Sequence, residues 1–149
     1  MDTITKVLVM EHAVFRKVFE QAERLLARAK SASEVKLLAS VVEGLLQSHS
    51  KTETDLAYAA LDHVLADRGA LDRLHQDHHE IDSQFKRLHR ATDAAQARLQ
   101  FKKALSATRK HFQHEEERVF PLLEKTLQPD TLKALGRQWA ESHPACAAA

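Results

Sequence analysis

Apolar residues recur three or four positions apart along most of the chain, which is the spacing that places side chains on one face of an α-helix. The first such stretch covers 4–26 and follows Thr3, a residue type that caps helix N-termini. Ser31 and Glu34 then show the spacing of a capping box, in which side chains satisfy free backbone donors at a helix start. The pattern therefore predicts one helix that starts at residue 4 and ends near Lys30, and a second helix that begins behind Ser31.

The rest of the pattern predicts three further helices. The second helix ends by Arg68 and Gly69, since glycine readily takes the conformation that follows a helix end. A third helix covers about 71–92, a fourth about 94–122, and a short fifth helix lies beyond Pro129. The inward positions predicted for the second helix are Leu38, Val42, Leu45, Leu56 and Ala60, and those for the end of the fourth are Val119 and Leu122.

These lengths predict an all-α fold, an up-down-up-down four-helix bundle with a short C-terminal fifth helix. The predicted single domain covers 1–149, with the bundle at about 3–126 and the last helix and tail at 129–149. The 149 residues include only 3 Gly and 3 Pro, which leaves few turn formers. All-β and alternating α/β folds need many more turns and are disfavoured.

Charge and cysteine content limit the partners and the compartment. The 22 basic and 21 acidic residues give a net charge of +1, so no summed field favours nucleic acid or an anionic membrane. The single cysteine, Cys146, excludes an intramolecular disulfide and a thiolate-rich metal site. The chain shows neither a signal-peptide pattern nor an apolar stretch of membrane-spanning length, and we predict a cytoplasmic protein.

Polar residues interrupt the apolar stripe of each of the four long helices. Counted along the helices from their connecting turns, these residues lie at similar depths, so they are predicted to converge at mid-bundle. The interrupting residues are His12 on the first helix, His49 and Glu53 on the second, His78 on the third, and His111 and Glu115 on the fourth.

A single inward histidine is most often a hydrogen-bonded core residue. Two buried carboxylates are different, because they need compensating charge, and no lysine or arginine stands in the inward stripe beside them. Metal ions would supply that charge, whereas a hydrated polar layer is the alternative. His75 can reach the same region from the edge of the third helix and is an additional candidate ligand.

Two sets of residues flank this candidate site. Four phenylalanines are predicted to wall it with apolar surface, and four glutamates are predicted to lie on the solvated face of their helices. The phenylalanines are Phe15, Phe19, Phe85 and Phe112, and the glutamates are Glu11, Glu80, Glu116 and Glu117.

The ordered set of motifs resembles the hemerythrin-like, or HHE cation-binding, domain over roughly residues 4–125. The resemblance implies two non-haem iron ions bridged by carboxylates and by an oxo or hydroxo group. By position, the four inward histidines would be terminal ligands, and Glu53 and Glu115 would be the bridges. The motifs are Glu11-His12, His49-x-x-x-Glu53, Asp77-His78 and His111-x-x-x-Glu115-Glu116, followed by Val119-Phe120-Pro121.

One position departs from the oxygen-carrying members of that family. Those proteins have two ligand histidines one turn apart on the third helix, whereas Leu74 stands one turn before His78. Four imidazoles and two bridging carboxylates leave coordination positions open on two irons, and one fewer if His75 also binds. The number of open positions bears on whether such a centre carries dioxygen or acts as a catalyst.

The resemblance implies a di-iron protein that binds or senses dioxygen. Two alternatives stay open: a di-iron enzyme that acts on peroxide, nitric oxide or dioxygen, and a metal-free helical interaction module. The expected partner is dioxygen or another small diatomic or peroxide ligand, with no nucleic acid and no membrane, and no protein partner is assigned. Mixed nitrogen and oxygen ligands do not by themselves exclude zinc or manganese.

Overall fold

The computed structural model describes residues 2–65 and 69–143, and it places nearly all of them in five helices. Helix α1 spans Ile4–Leu26, helix α3 spans Gly69–Arg90, and the short helix α5 spans Pro129–Ser142. The described residues contain no strand. The predicted all-α class and the short C-terminal helix are confirmed.

Helices α2 and α4 each contain a π-helical segment. Helix α2 is continuous over 32–62 and helix α4 over 94–126. A π turn uses one residue more than an α turn, and such segments are frequent at functional sites. The parts of α2 are Ala32–Thr52, the π segment Glu53–Tyr58 and Ala59–Asp62. The parts of α4 are Ala94–His114, the π segment Glu115–Val119 and Phe120–Thr126.

Side-chain caps begin three of the helices. The Thr3 hydroxyl accepts a hydrogen bond from the Lys6 backbone N–H at 3.4 Å, and the Ser31 hydroxyl accepts one from Glu34 at 3.2 Å. Asp93 accepts one from the Gln96 backbone at 2.8 Å and caps α4. These bonds satisfy donors that have no partner inside the helix. The two caps predicted for the first two helices are confirmed.

The end of the second helix differs from its prediction. Helix α2 stops at Asp62, and Gly69 begins α3 instead of closing α2. Glycine at position 69 therefore marks a helix start and not a helix end. Arg68 and the predicted tail with Cys146 lie outside the described residues.

The inward faces of α2 and α4 rotate by one residue after their π segments. The predicted inward residues Leu56, Ala60 and Leu122 are only partly buried. The extra residue of each π turn shifts the buried face forward along the chain. The residues that are buried there instead are Ala57, Leu61 and Leu123. Leu45 is also wrong as a core residue, being 48% exposed, because the seam runs through Leu46 at that level.

The hydrophobic core has two parts, one at each end of the bundle. The larger part packs around Phe19, Phe85 and Phe101, which are at most 1% exposed. The smaller part includes Leu8 and Leu123 and is covered by α5. Along each of the four long helices, the polar residues predicted to converge lie between these two parts. Among the described residues, no helix is long and apolar enough to cross a membrane.

Helix α5 packs closely on the start of α1 through Gly136. A Cβ atom at this position would clash with the Asp2 carbonyl oxygen and lie 3.3 Å from the Ile4 backbone nitrogen. Both neighbours are backbone atoms, which cannot move aside as a flexible side chain can. Gly44 in α2 is the opposite case, because no atom lies within 4 Å of its added Cβ.

Two alanine substitutions should therefore have opposite effects on the free energy of unfolding. We expect Gly136→Ala to destabilise the protein by about 1–3 kcal/mol, as overpacking does. Gly44→Ala should stabilise it by about 0.5–1 kcal/mol, because glycine inside a helix costs backbone entropy. Chemical unfolding followed by circular dichroism measures both values. A stable Gly136→Ala variant would contradict the close packing of α5 on α1.

Candidate metal centre

All six predicted ligand residues lie together at mid-bundle. Their donor atoms form two groups, and within each group one atom from every residue lies within 4.8 Å of the others. Glu53 belongs to both groups. One group consists of His12, His49 and Glu53, and the other of Glu53, His78, His111 and Glu115.

The two oxygens of Glu53 face different histidines. Oε1 lies 3.4 Å from His12 Nε2 and 3.2 Å from His49 Nε2. Oε2 lies 3.8 Å from His78 Nε2. A carboxylate with this orientation can hold one ion with each oxygen, so Glu53 joins the two groups.

Glu115 also stands between the two groups. Its Oε2 atom lies 3.4 Å from His12 Nε2 and 3.5 Å from His111 Nε2. Its other oxygen accepts a hydrogen bond from the Tyr58 hydroxyl. One oxygen of Glu115 is therefore turned toward imidazoles on both sides, and the second is held by a phenol.

Local helix geometry brings the carboxylates to this level. His49 and Glu53 are four residues apart on α2, as are His111 and Glu115 on α4, and residues at this spacing share a helix face. Each glutamate is the first residue of its π segment. The two chemically similar pairs therefore occupy matching places on two helices.

The inward atoms of this cluster lack the hydrogen bonds that buried polar groups normally have. Glu53 and Glu115 are 0% exposed, yet both oxygens of Glu53 and Oε2 of Glu115 have no hydrogen-bond partner. His78 Nε2 and both ring nitrogens of His111 also have none. Leaving such groups unsatisfied is costly, whereas metal ions would satisfy all of the inward atoms at once. The residues present therefore fit a metal site.

The first pair of imidazoles fits a single ion. His12 Nε2 and His49 Nε2 lie 3.1 Å apart. Two nitrogens bound at right angles to one ion, each at about 2.1 Å, would be about 3.0 Å apart. The separation therefore suits two adjacent ligands of one metal.

Carboxylates outside the cluster hold the far nitrogens of these rings. His12 Nδ1 donates to Glu116 at 2.9 Å, and His49 Nδ1 donates to Glu11 at 3.1 Å. Arg16 binds both oxygens of Glu116 at 2.9 Å. Such contacts fix the tautomer that leaves Nε2 free to bind a metal. The prediction that Glu11 and Glu116 are solvated surface charges is therefore wrong, because each binds a histidine on a neighbouring helix.

Aromatic rings close one side of the cluster. The Phe112 ring stacks on His12 at 3.8 Å between centroids, and Phe120 lies 5.5 Å from the same imidazole. Phe15 lies 5.1 Å from His49. Phe15 and Phe112 thus wall the site as predicted, while Phe19 packs behind Phe112.

Tyr58 is a polar neighbour of the cluster that α-helical spacing does not predict. It is the only tyrosine of the chain and is 2% exposed. Its hydroxyl donates to Glu115, and its ring stacks against His78 at 5.8 Å. Counted in α-helical steps from Glu53, position 58 falls off the inward face. The extra residue of the π turn brings it in.

His75 lies outside both donor groups. Its side chain is exposed, and its ring meets the Tyr58 ring edge-on at 5.9 Å. Leu74, one turn before His78, is 0% exposed and belongs to the smaller part of the core. Helix α3 therefore contributes only His78 to the donor groups.

Charge interactions within the cluster move several pKa values. Burial opposes the charge on His49, but Glu53 and Glu11 together raise its pKa to about 10. Burial and the neighbouring Glu53 raise the pKa of Glu115 well above its usual value. Burial and the nearby His78 lower the pKa of His111 to about 4. These shifts favour the protonated forms of His49 and Glu115 and the neutral form of His111, and a bound metal would compete with protons for these groups.

The fold and this donor set define a helical bundle that binds cations. The family model described as hemerythrin HHE cation binding domain matches residues 3–123, and again residues 70–143. The chain therefore belongs to the hemerythrin HHE cation-binding family. No curated protein and no solved structure matches the chain.

The outer carboxylates provide a test of the metal site. Glu116→Gln should weaken metal binding by about 10- to 100-fold, the usual effect of losing an outer contact to a ligand histidine. Glu117→Gln is the matched control, because Glu117 is exposed and bonds only to Gln113 among the contacts observed. Chelator competition with cobalt(II) measures both affinities. Equal affinities in the two variants would contradict a role for Glu116 in holding His12.

Proposed function

We propose that this chain holds two non-haem iron ions between α1, α2, α3 and α4 and binds or senses dioxygen there. The observation that carries the proposal is the position of Glu53. It belongs to both donor groups and turns one oxygen toward His12 and His49 and the other toward His78. A shared carboxylate favours a pair of ions over a single one.

The donor types support iron. Imidazole and carboxylate together suit iron, and the site contains no thiolate. One ion would be held by His12 and His49 and the other by His78 and His111. Glu53 and Glu115 would lie between the two ions.

When bound, iron supplies reversible electron transfer to dioxygen. The chain's own residues cover one half of the site and orient its histidines. Phe112 and Phe120 cover His12, which limits water beside it. Glu11 and Glu116 hold His49 and His12 in the orientation that points Nε2 inward.

A metal-free helical module is disfavoured by the same cluster. Glu53 is fully buried without a hydrogen bond to either oxygen, and His111 is 3% exposed with neither ring nitrogen bonded. An interaction module has no need of such groups, and apolar residues would be more stable in their place.

A second candidate function is an enzyme that acts on peroxide, nitric oxide or dioxygen. The observation that favours it is Tyr58, whose hydroxyl donates to Glu115 inside the site. Burial and the neighbouring Glu53 and Glu115 raise the pKa of this phenol, so it stays protonated and acts as a hydrogen-bond donor that holds Glu115 in position to exchange a proton with a reacting ligand. Simple reversible binding of dioxygen does not require such a group.

Iron content and the absorption spectrum test the main proposal. Anaerobic loading should give about two iron ions per chain, and exposure of the reduced protein to air should produce charge-transfer absorption. His49→Ala should lower the iron affinity by more than the about 10- to 100-fold expected for loss of an outer contact, because it removes a ligand. His63→Ala is the control, since His63 is exposed and directly follows the end of α2. A wild-type chain that takes up no iron would overturn the proposal.

Tyr58→Phe tests the enzyme alternative. The substitution removes only the hydroxyl, so iron content should stay the same while turnover of hydrogen peroxide falls by about 10²-fold, as expected for loss of a positioned hydrogen-bond donor. The measurement is peroxide consumption per bound iron, compared with free iron. If wild-type turnover does not exceed that of free iron, the enzyme function is excluded.

A further inference from the structure

A cavity opens from the surface between α2, α3 and α4 and leads to one half of the site. We call it the α2–α3 cavity; its volume is about 300 Å³. Its inner wall is mostly apolar and includes Thr108, whose hydroxyl donates to the Ala104 carbonyl, and two candidate ligands lie at its inner end. The residues of its inner part are Leu46, Ile81, Phe85, Phe112, His78 and His111.

The other half of the site is closed. His12 is 0% exposed and lies under the stacked ring of Phe112. A second cavity, between α1, α2 and α5, touches His49 but not His12. Glu11, which bonds the outer nitrogen of His49, also lines that cavity. An incoming molecule would therefore meet the far side of His49 and its carboxylate partner.

The half that the α2–α3 cavity reaches is also the half with fewer fixed contacts. The His78 side chain is 17% exposed, the most of the six candidate ligands, and its Nε2 atom has no partner. His111 has two longer contacts of 3.5 Å, from Nδ1 to Asp77 and from Nε2 to Glu115. Leu74 offers no further donor on α3. The cavity thus reaches the half of the site in which ring nitrogens of His78 and His111 have no hydrogen-bond partner.

The outer part of the cavity carries more negative than positive charge. Glu43, Asp55 and Asp82 line it together with Lys51; Lys51 pairs with Asp55, Glu43 bonds to His89, and Asp82 adds a further negative charge. Negative charge at the entrance disfavours anions, and the apolar inner wall favours uncharged molecules. The entrance therefore selects small neutral ligands.

We propose that an exogenous ligand reaches the site through the α2–α3 cavity and binds at the half formed by His78 and His111, and that this ligand is a small neutral molecule. The inference rests on the proposed iron site and specifies which half of it is open. Two serines on α2 allow a matched test: Ser50 lines the α2–α3 cavity, and Ser48 lines the cavity on the α1 side.

The experiment measures the rate at which nitric oxide binds to the reduced, iron-loaded protein, followed by absorption. Ser50→Trp should slow binding by at least about tenfold, which corresponds to about 1.4 kcal/mol in the barrier. Ser48→Trp should bind at the wild-type rate. Gln47→Trp provides a second obstruction at an exposed position of the same cavity, and it decides the result if Ser50→Trp does not fold.

The outcomes separate this inference from the proposed function. Iron uptake with slow binding only in Ser50→Trp and Gln47→Trp supports both. Iron uptake with slow binding only in Ser48→Trp, or with equal rates in all variants, overturns the entry route and leaves the iron site intact. A wild-type chain without iron overturns both.

The charge of the ligand is tested separately with azide, an anion, on the oxidised protein. Asp82→Asn removes one negative charge from the entrance and should raise the azide association rate by about two- to fivefold at low salt. The nitric oxide rate of the same variant should not change. An unchanged azide rate would overturn the selection for neutral ligands.

Discussion

The burial of Glu53 and Glu115 is the constraint on which the rest of the site depends. Two neighbouring carboxylates inside an apolar bundle cannot both remain charged without a cation beside them. Burial and Glu53 raise the pKa of Glu115, and Glu53 and Glu11 raise the pKa of His49, and both shifts reduce the net negative charge of the cluster. The surrounding histidines and their outer carboxylates would allow a metal to compensate this charge instead.

The helical fold could be predicted from periodicity and caps, because both are local properties of the sequence. Thr3 and Ser31 begin their helices as their positions indicate. The six inward polar residues were also accessible, since a histidine or glutamate in place of an apolar residue is visible in a helical pattern. The distances between these six residues could not be predicted from the sequence, because they depend on how the four helices pack.

What periodicity could not supply are the contacts that cross between helices and the change of helix type. Glu116 is the neighbour of Glu115 on α4, yet it accepts a hydrogen bond from His12 on α1. A long side chain just off the inward face looks the same in sequence whether it meets water or another helix. Tyr58 and Leu123 become inward only because a π turn precedes them, and no simple sequence signal marks such a turn.

The two π segments also connect the site to the packing below it. Removing one residue from either segment would restore an uninterrupted α-helix and rotate everything that follows by about 100°. In α2 this rotation would move Leu61 off the core face, and in α4 it would move Leu123. Which residues of α2 and α4 face the smaller part of the core therefore depends on the π segments that begin at Glu53 and Glu115. In this protein Glu53 and Glu115 therefore stand at the positions where the buried faces of α2 and α4 change their orientation about the helix axis.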